Sequence, residues 1–229
     1  MLSFKEFITE GVYDQGIFKV IFMAGGPGSG KSFILEQFIK QGFHHLGLRI
    51  VASDIPFEYF LKKAGLTSDP ETIASPEGQA IRTNIAKRVT KKQLHLLIEG
   101  RVGLVIDGTA ADYAKLNSQA TLFESHGYET AMVFVNTDLE TSLARNASRP
   151  RSLKDEVVTT KWHEAQSNIG KYSNRFKQKF FIVDNSDGAN YQHGVKSTFG
   201  QIAKWVKQPP ASPEAKTWIK QQIAAKNRL

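Results

Sequence analysis

Hydrophobic and polar positions alternate in blocks along the chain. Five short apolar runs, rich in β-branched residues, read as strands: 17–23, 49–52, 104–106, 131–135 and 180–183. Between them the apolar residues recur at helical spacing. Over 31–41, Phe33, Leu35, Phe38 and Ile39 fall near one face; over 112–125, Tyr113, Leu116, Ala120 and Phe123 do the same. Thr137-Asp138-Leu139-Glu140 has the form of a capping box, so a helix is expected to begin there. Strands alternating with helices predict an α/β fold: a three-layer α/β/α sandwich around a five-stranded, mostly parallel sheet.

The alternation breaks over 65–101, where two turn-rich stretches precede a long helical one carrying Arg82, Lys87, Arg88, Lys91 and Lys92. This reads as a helical insert over the acceptor side of a site, against the plainer reading of a solvated basic face. Pro209-Pro210-Ala211-Ser212-Pro213 must interrupt regular structure, and a basic amphipathic helix with Trp218, Ile219 and Ile223 is expected to follow and pack on the body. The organisation expected is an N-terminal segment (1–16), a main domain (17–208), and a Pro-rich linker with its helix (209–229). In the first segment Leu2, Phe4, Phe7 and Ile8 could make one face of a short docked helix.

Where the strands end matters for chemistry. Asp54, Asp107, Asn136 and Asn185 stand just beyond their apolar runs. In parallel sheets ligands bind outside the carboxyl ends of the strands, so these residues should share one rim. The first strand runs into Gly25-Gly26-Pro27-Gly28-Ser29-Gly30-Lys31-Ser32, a full G-x-x-x-x-G-K-[ST] phosphate-binding loop. Successive N–H groups can surround a phosphate chain only where the backbone curls tightly, which calls for glycine at Gly25, Gly28 and Gly30. The following helix adds unpaired N–H groups and partial positive charge. Lys31 is expected on the β- and γ-phosphates of ATP or another nucleoside triphosphate, and the Ser32 hydroxyl on Mg²⁺.

Three further elements complete the candidate site. Asp54 is placed to accept the proton of an attacking hydroxyl, or else it or Ser53 caps the next helix. Asp107 closes Leu104-Val105-Ile106-Asp107, the apolar-strand-to-aspartate pattern that holds Mg²⁺; Thr109 follows as a ligand contact or a cap. Arg145, Arg149 and Arg151 lie in a segment that Pro150 should terminate, forming a short lid whose bidentate cations could neutralise a transferring phosphoryl group; the alternative is an exposed basic helix end. Asn185 would border the nucleobase.

Composition narrows the picture further. The 229 residues are 41% hydrophobic and 23% charged, with a formal net charge of +8, a balance that favours anionic partners. There is no cysteine, which removes disulfide and thiolate chemistry. No histidine spacing suggests structural zinc. No apolar run predicts a membrane span and the N-terminus does not read as a secretory signal, so a cytoplasmic protein is expected.

GGPGSGKS, the Asp54 after the second strand, LVIDGTAAD and FVNTDLETSLARNASRPR together resemble phage polynucleotide 5′-hydroxyl kinases and zeta-toxin-like kinases, over residues 17–185. The resemblance implies strand order 2-3-1-4-5 and a lid before the last strand. It implies that Lys31 and Ser32 hold phosphates and metal, that Asp54 is the general base, and that Arg145 and Arg149 bind the donor phosphates and the transition state. The acceptor implied is a nucleotide, a nucleoside, a nucleic acid 5′-end contacted through the basic insert, or a small metabolite. Ala110 and Ala111 depart from the zeta toxins that phosphorylate an amino-sugar nucleotide, which carry an arginine there. The FKEF opening is similar to N-termini of tailed-phage proteins.

Overall fold

A computed structural model describes residues 11–108, 111–149 and 152–227. The expectations for the N-terminal segment up to residue 10, and for Thr109, Pro150 and Arg151, fall outside them.

The sheet is parallel and five-stranded, ordered β2-β3-β1-β4-β5. The strands are β1 (Lys19–Gly25), β2 (Leu48–Val51), β3 (Gly103–Asp107), β4 (Glu129–Asn136) and β5 (Phe180–Asp184). Every residue of β1 is buried, as a central strand covered on both faces requires. β1 starts two residues later than its apolar run. Phe18 has φ 58 and donates its N–H to the Arg101 carbonyl at 3.0 Å, so the run enters the sheet through a left-handed residue.

The helices are α1 (Lys31–Lys40), α2 (Asp54–Lys63), α3 (Pro70–Ala74), α4 (Pro76–Ala80), α5 (Lys87–Glu99), α6 (Tyr113–Ser125), α7 (Leu139–Ala147), α8 (Asp155–Ser167), α9 (Ile169–Phe176), α10 (Tyr191–Val206) and α11 (Pro213–Lys226). Helices α8, α9 and α10 were not expected from the apolar pattern. One face of the sheet packs Phe22, Met132 and Phe134 against Leu116, Phe123, Tyr172 and Phe176 of α6 and α9. The other packs Ile21, Met23 and Val133 against Ile34, Phe38, Ile202 and Val206 of α1 and α10.

Two local expectations are corrected. Phe33 is 41% exposed, and the buried stripe of α1 is Ile34, Leu35 and Phe38, one residue round from the face expected. The N-cap of α7 is Asp138 rather than Thr137: its carboxylate accepts from the Thr141 N–H at 2.6 Å and from the Thr141 hydroxyl at 2.8 Å. Thr137 is instead buried, with its hydroxyl engaged elsewhere.

The insert over 65–101 is helical. A π-helical stretch, Ile81–Ala86, joins α4 to α5. Ile73, Ile81 and Ala86 share a small separate core with Phe57 and Leu61 of α2, and the Arg82 guanidinium lies 4.5 Å from the centre of the Phe57 ring. Lys87, Arg88, Lys91 and Lys92 are exposed on α5. At the far end of the chain α11 lies on the body: Ala215 is fully buried and Trp218 meets Phe18 edge-on at 5.5 Å.

Candidate active site

The strand that feeds the glycine-rich loop is the middle of the sheet, so the loop opens at the centre of the carboxyl rim. Gly28 and Gly30 have φ of 75 and 74, where side chains are strained. Space forbids them too. A Cβ on Gly28 would lie 2.3 Å from the Ser142 carbonyl oxygen of α7, and one on Gly30 would lie 2.3 Å from the Asn185 Nδ2. The loop is thus pressed onto the segments that follow β4 and β5. Helix α1 starts directly from Gly30 with no acidic residue in its first turn, so nothing there offsets its partial positive charge.

Lys31 and Asp107 meet across the rim, ammonium to Oδ1 at 2.9 Å, both mostly shielded from solvent. Asp107 is held at the tip of β3 opposite Met23 of β1, which brings the carboxylate beside the loop. The Ser32 side chain is exposed on the first turn of α1. Ser32 and Asp107 offer hard oxygen donors of the kind magnesium takes along with phosphate oxygens and water. Among the described residues no group of three or more His, Cys, Asp or Glu could hold a metal by itself.

Asp54 is the first residue of α2 and is exposed; Ser53, at the N-cap, makes no side-chain capping bond. Of the two capping candidates, Ser53 holds the N-cap position and Asp54 stands one residue inside the helix. α2 rests on the insert through the small core around Phe57, so the carboxylate and the insert belong to one lobe beyond the second strand.

Arg145 and Arg149 part company. Helix α7 ends at Ala147, and Asn146 turns to pin the following segment, donating to the Leu153 carbonyl at 2.7 Å and accepting from the Leu153 N–H at 2.9 Å. Arg149 lies past the helix and is exposed. Arg145 reaches across to the loop after β5, donating to the Asn185 carbonyl at 2.7 Å and to the Asp187 carboxylate at 2.6 Å.

Beside the glycine loop a cavity of about 420 Å³ is lined by Gly30, Phe33, Arg145, Asn185, Asp187 and Tyr191, among others. Phe33 and Tyr191 meet edge-on at 5.1 Å in its wall. Asn185, expected to border a nucleobase, is one of its lining residues. Phe33, Asp187 and Tyr191 were not singled out from the sequence; the one available signal was that Phe33 would be the outlying member of an otherwise buried helical stripe. A fourth residue unforeseen is Trp162 of α8. Its indole donates to the Thr137 carbonyl at 2.7 Å, and its backbone lies 3.7 Å from where a Cβ of Gly26 would stand.

Known proteins share this fold. A chain of the AvrRxo1-ORF1:ORF2 complex with ATP superposes with a TM-score of 0.58 at 15% identity, covering 90% of this chain and 68% of that one. A chain of the PezAT toxin-antitoxin system of Streptococcus pneumoniae gives 0.52 at 15% identity, over 82% and 84% of the two chains. A chain of the Pnkp1/Rnl/Hen1 RNA repair complex gives 0.51 at 16% identity; 67% of this chain spans only 46% of that one. In sequence the protein is 25% identical over 191 residues to UPF0200 protein TK1334 of Thermococcus kodakarensis, covering 80% of this chain and 97% of the relative. These structural likenesses establish a P-loop NTPase-like α/β fold. The AAA domain family model (AAA_33) matches residues 20–171, more than half the chain, and the protein belongs to that family.

Proposed function

We propose that this protein is an ATP-dependent kinase that transfers the γ-phosphoryl group to a hydroxyl or phosphate of a nucleotide, a nucleoside or a polynucleotide 5′-end. The observation that carries the reading is the pairing of Lys31 with Asp107 at 2.9 Å at the mouth of the glycine loop. The Lys31 cation at the start of α1 and the Asp107 carboxylate at the tip of β3 stand together beside a cavity of about 420 Å³, and Asp54 follows β2, the neighbour of β3.

In this reading the loop amides from Gly25 to Ser32, with the start of α1, bind the triphosphate. Lys31 exchanges the Asp107 carboxylate for β- and γ-phosphate oxygens. Mg²⁺, held by the Ser32 hydroxyl and Asp107, would neutralise charge on those oxygens. The acceptor oxygen forms a bond to the γ-phosphorus as the bond to the bridging oxygen breaks. The acceptor's proton passes to the Asp54 carboxylate, and the nucleoside diphosphate departs with the bond electrons. Arg149, on the exposed segment after α7, answers the charge on the transferring group. Arg145, Asn185, Phe33 and Tyr191 border the base.

The exposed cations of α5 support a polyanionic acceptor, and the likeness to a chain of an RNA repair complex puts 5′-hydroxyl RNA among those to try first. The test is transfer of labelled γ-phosphate to 5′-hydroxyl DNA and RNA, nucleosides, nucleoside monophosphates and nucleotide sugars. Label on one of the first three classes supports the proposal. Label only on a nucleotide sugar shifts it to a toxin-like small-molecule kinase. Phosphate release with no labelled acceptor makes the protein a hydrolysing module instead.

A further inference from the structure

Glycine lets the phosphate loop curl, but it also lets the loop misfold locally. A peptide group that precedes a glycine can rotate by about half a turn at little steric cost, because glycine accepts both signs of φ. In a phosphate cradle that rotation is harmful. It replaces an N–H aimed at the anion with a carbonyl oxygen whose partial negative charge repels it. The peptide between Ser29 and Gly30 is such a group.

Its carbonyl oxygen is held from two sides. The Asn185 side-chain amide donates to it at 2.8 Å, and the Thr137 hydroxyl donates to it at 3.2 Å. Both donors are buried, 4% and 2% exposed, so water competes for neither. Both are themselves fixed. The Asn185 N–H donates to the Asn136 carbonyl at 2.9 Å, and its own carbonyl accepts from Arg145 at 2.7 Å. The Thr137 carbonyl accepts from Trp162 at 2.7 Å. The peptide is trans, so its N–H points opposite to its carbonyl. With the oxygen tied to the segments behind the loop, the Gly30 N–H faces the other way.

We propose that Thr137 and Asn185 are positioning residues for phosphate binding. Together they hold the Ser29 carbonyl out of the cradle and thereby keep the Gly30 N–H available to the anion. Neither needs to touch the nucleotide to do this. The inference rests on the kinase reading in so far as the loop must bind a phosphate chain, and it adds to that reading a cause for the loop's preorganised state. It also explains why Thr137 is buried instead of capping α7.

The test uses inorganic tripolyphosphate, which has no base and so is indifferent to the neighbouring cavity. Its affinity for the full chain is measured by titration calorimetry. Thr137→Val keeps the side-chain shape and removes the donor; Asn185→Leu does the same at similar size. Each is expected to weaken tripolyphosphate by about three- to tenfold, the worth of one hydrogen bond. Thr137→Ser, which restores the hydroxyl, is expected to return affinity to within about twofold of the parent. A merely structural role would lower the unfolding temperature of the valine variant and leave the affinity of the folded protein unchanged, which overturns the proposal. Should Asn185→Leu fail to fold, Thr137→Val carries the test alone, supplemented by its crystal structure: a rotated Ser29–Gly30 peptide supports the inference, and the parent orientation with parent affinity refutes it. If the parent itself does not bind tripolyphosphate, the kinase reading fails and takes this inference with it. If the parent binds and the variants bind equally, this inference alone is wrong.

Discussion

Asp54 shows how a single residue gains meaning from what it does not do. An aspartate after a strand and before a helix is most economically a cap, and the sequence allows that reading. The structure puts Asp54 inside the first helical turn, exposed, with no capping bond from Ser53 beside it. Its charge favours the helix N-terminus by about 0.3–1 kcal/mol in an exposed place. The proposed function gives it a proton-accepting role instead. Asp54→Asn preserves size and helix position while removing the basic oxygen. It is expected to lower the rate of phosphoryl transfer by about 10²–10⁴-fold and to leave the affinity for a non-hydrolysable triphosphate within about twofold. Single-turnover transfer and calorimetric titration separate the two quantities, and a variant that transfers at the parent rate would remove Asp54 from the mechanism.

Helix α7 and the segments around it decide what the arginines can reach. Arg145 and Arg149 stand four apart and would share a face only if the helix ran that far; it stops at Ala147, and the two are divided between the cavity beside the glycine loop and an exposed segment. A transition-state contact from Arg149 would have to come from that segment. Arg149→Ala should therefore cut kcat by about tenfold or more while changing KM for ATP by less than about threefold, in steady-state assays with saturating acceptor. An unchanged kcat would confine the arginine to the surface. Legibility also follows the elements. The glycine loop, the five strands and Asp107 could be read in advance because each is a local pattern tied to one stretch of chain. Phe33, Tyr191 and Trp162 could not. Their place depends on which side of α1, α10 and α8 meets the rim, a matter of packing between segments far apart in sequence. The capping of α7 went one residue astray because Thr137 and Asp138 are both good caps locally, and only the loop beneath shows that Thr137 is needed elsewhere.

The whole molecule is tied together at the end of the sheet away from the site. Glu129, at the start of β4, lies 3.0 Å from Lys19 of β1 and 3.2 Å from Lys179 beside β5. It also accepts from the Trp205 indole of α10 at 2.9 Å and from the Ala211 N–H at 2.8 Å, so it anchors the Pro-rich linker as well. Burial pushes its pKa up, but these donors and the Lys19 charge more than offset that and bring it down to about 2, from an ordinary 4.5. For Lys19, which has no exposed surface, burial pushes the pKa down, and Glu129 draws it back up. The carboxylate's contribution to stability is thus fully present above about pH 4.5 and is lost as pH falls toward 2. Glu129→Gln, which strands the buried Lys19 charge, should destabilise the protein by about 3–5 kcal/mol at neutral pH in urea unfolding, and should flatten the acid limb of its stability profile. Equal stability of the two proteins would show that the pair contributes nothing. The site end and this far end are joined by β1, from which the phosphate loop opens, and by its neighbour β4.

The central claim is that the curl between β1 and α1 grips a triphosphate, and a crystal structure with magnesium and a non-hydrolysable ATP analogue tests it most directly. The account predicts the β- and γ-phosphates ringed by the main-chain amides from Gly28 to Ser32, with the Lys31 ammonium moved from Asp107 onto phosphate oxygen. An analogue bound elsewhere, or Lys31 still paired with Asp107 beside an empty curl, would contradict it.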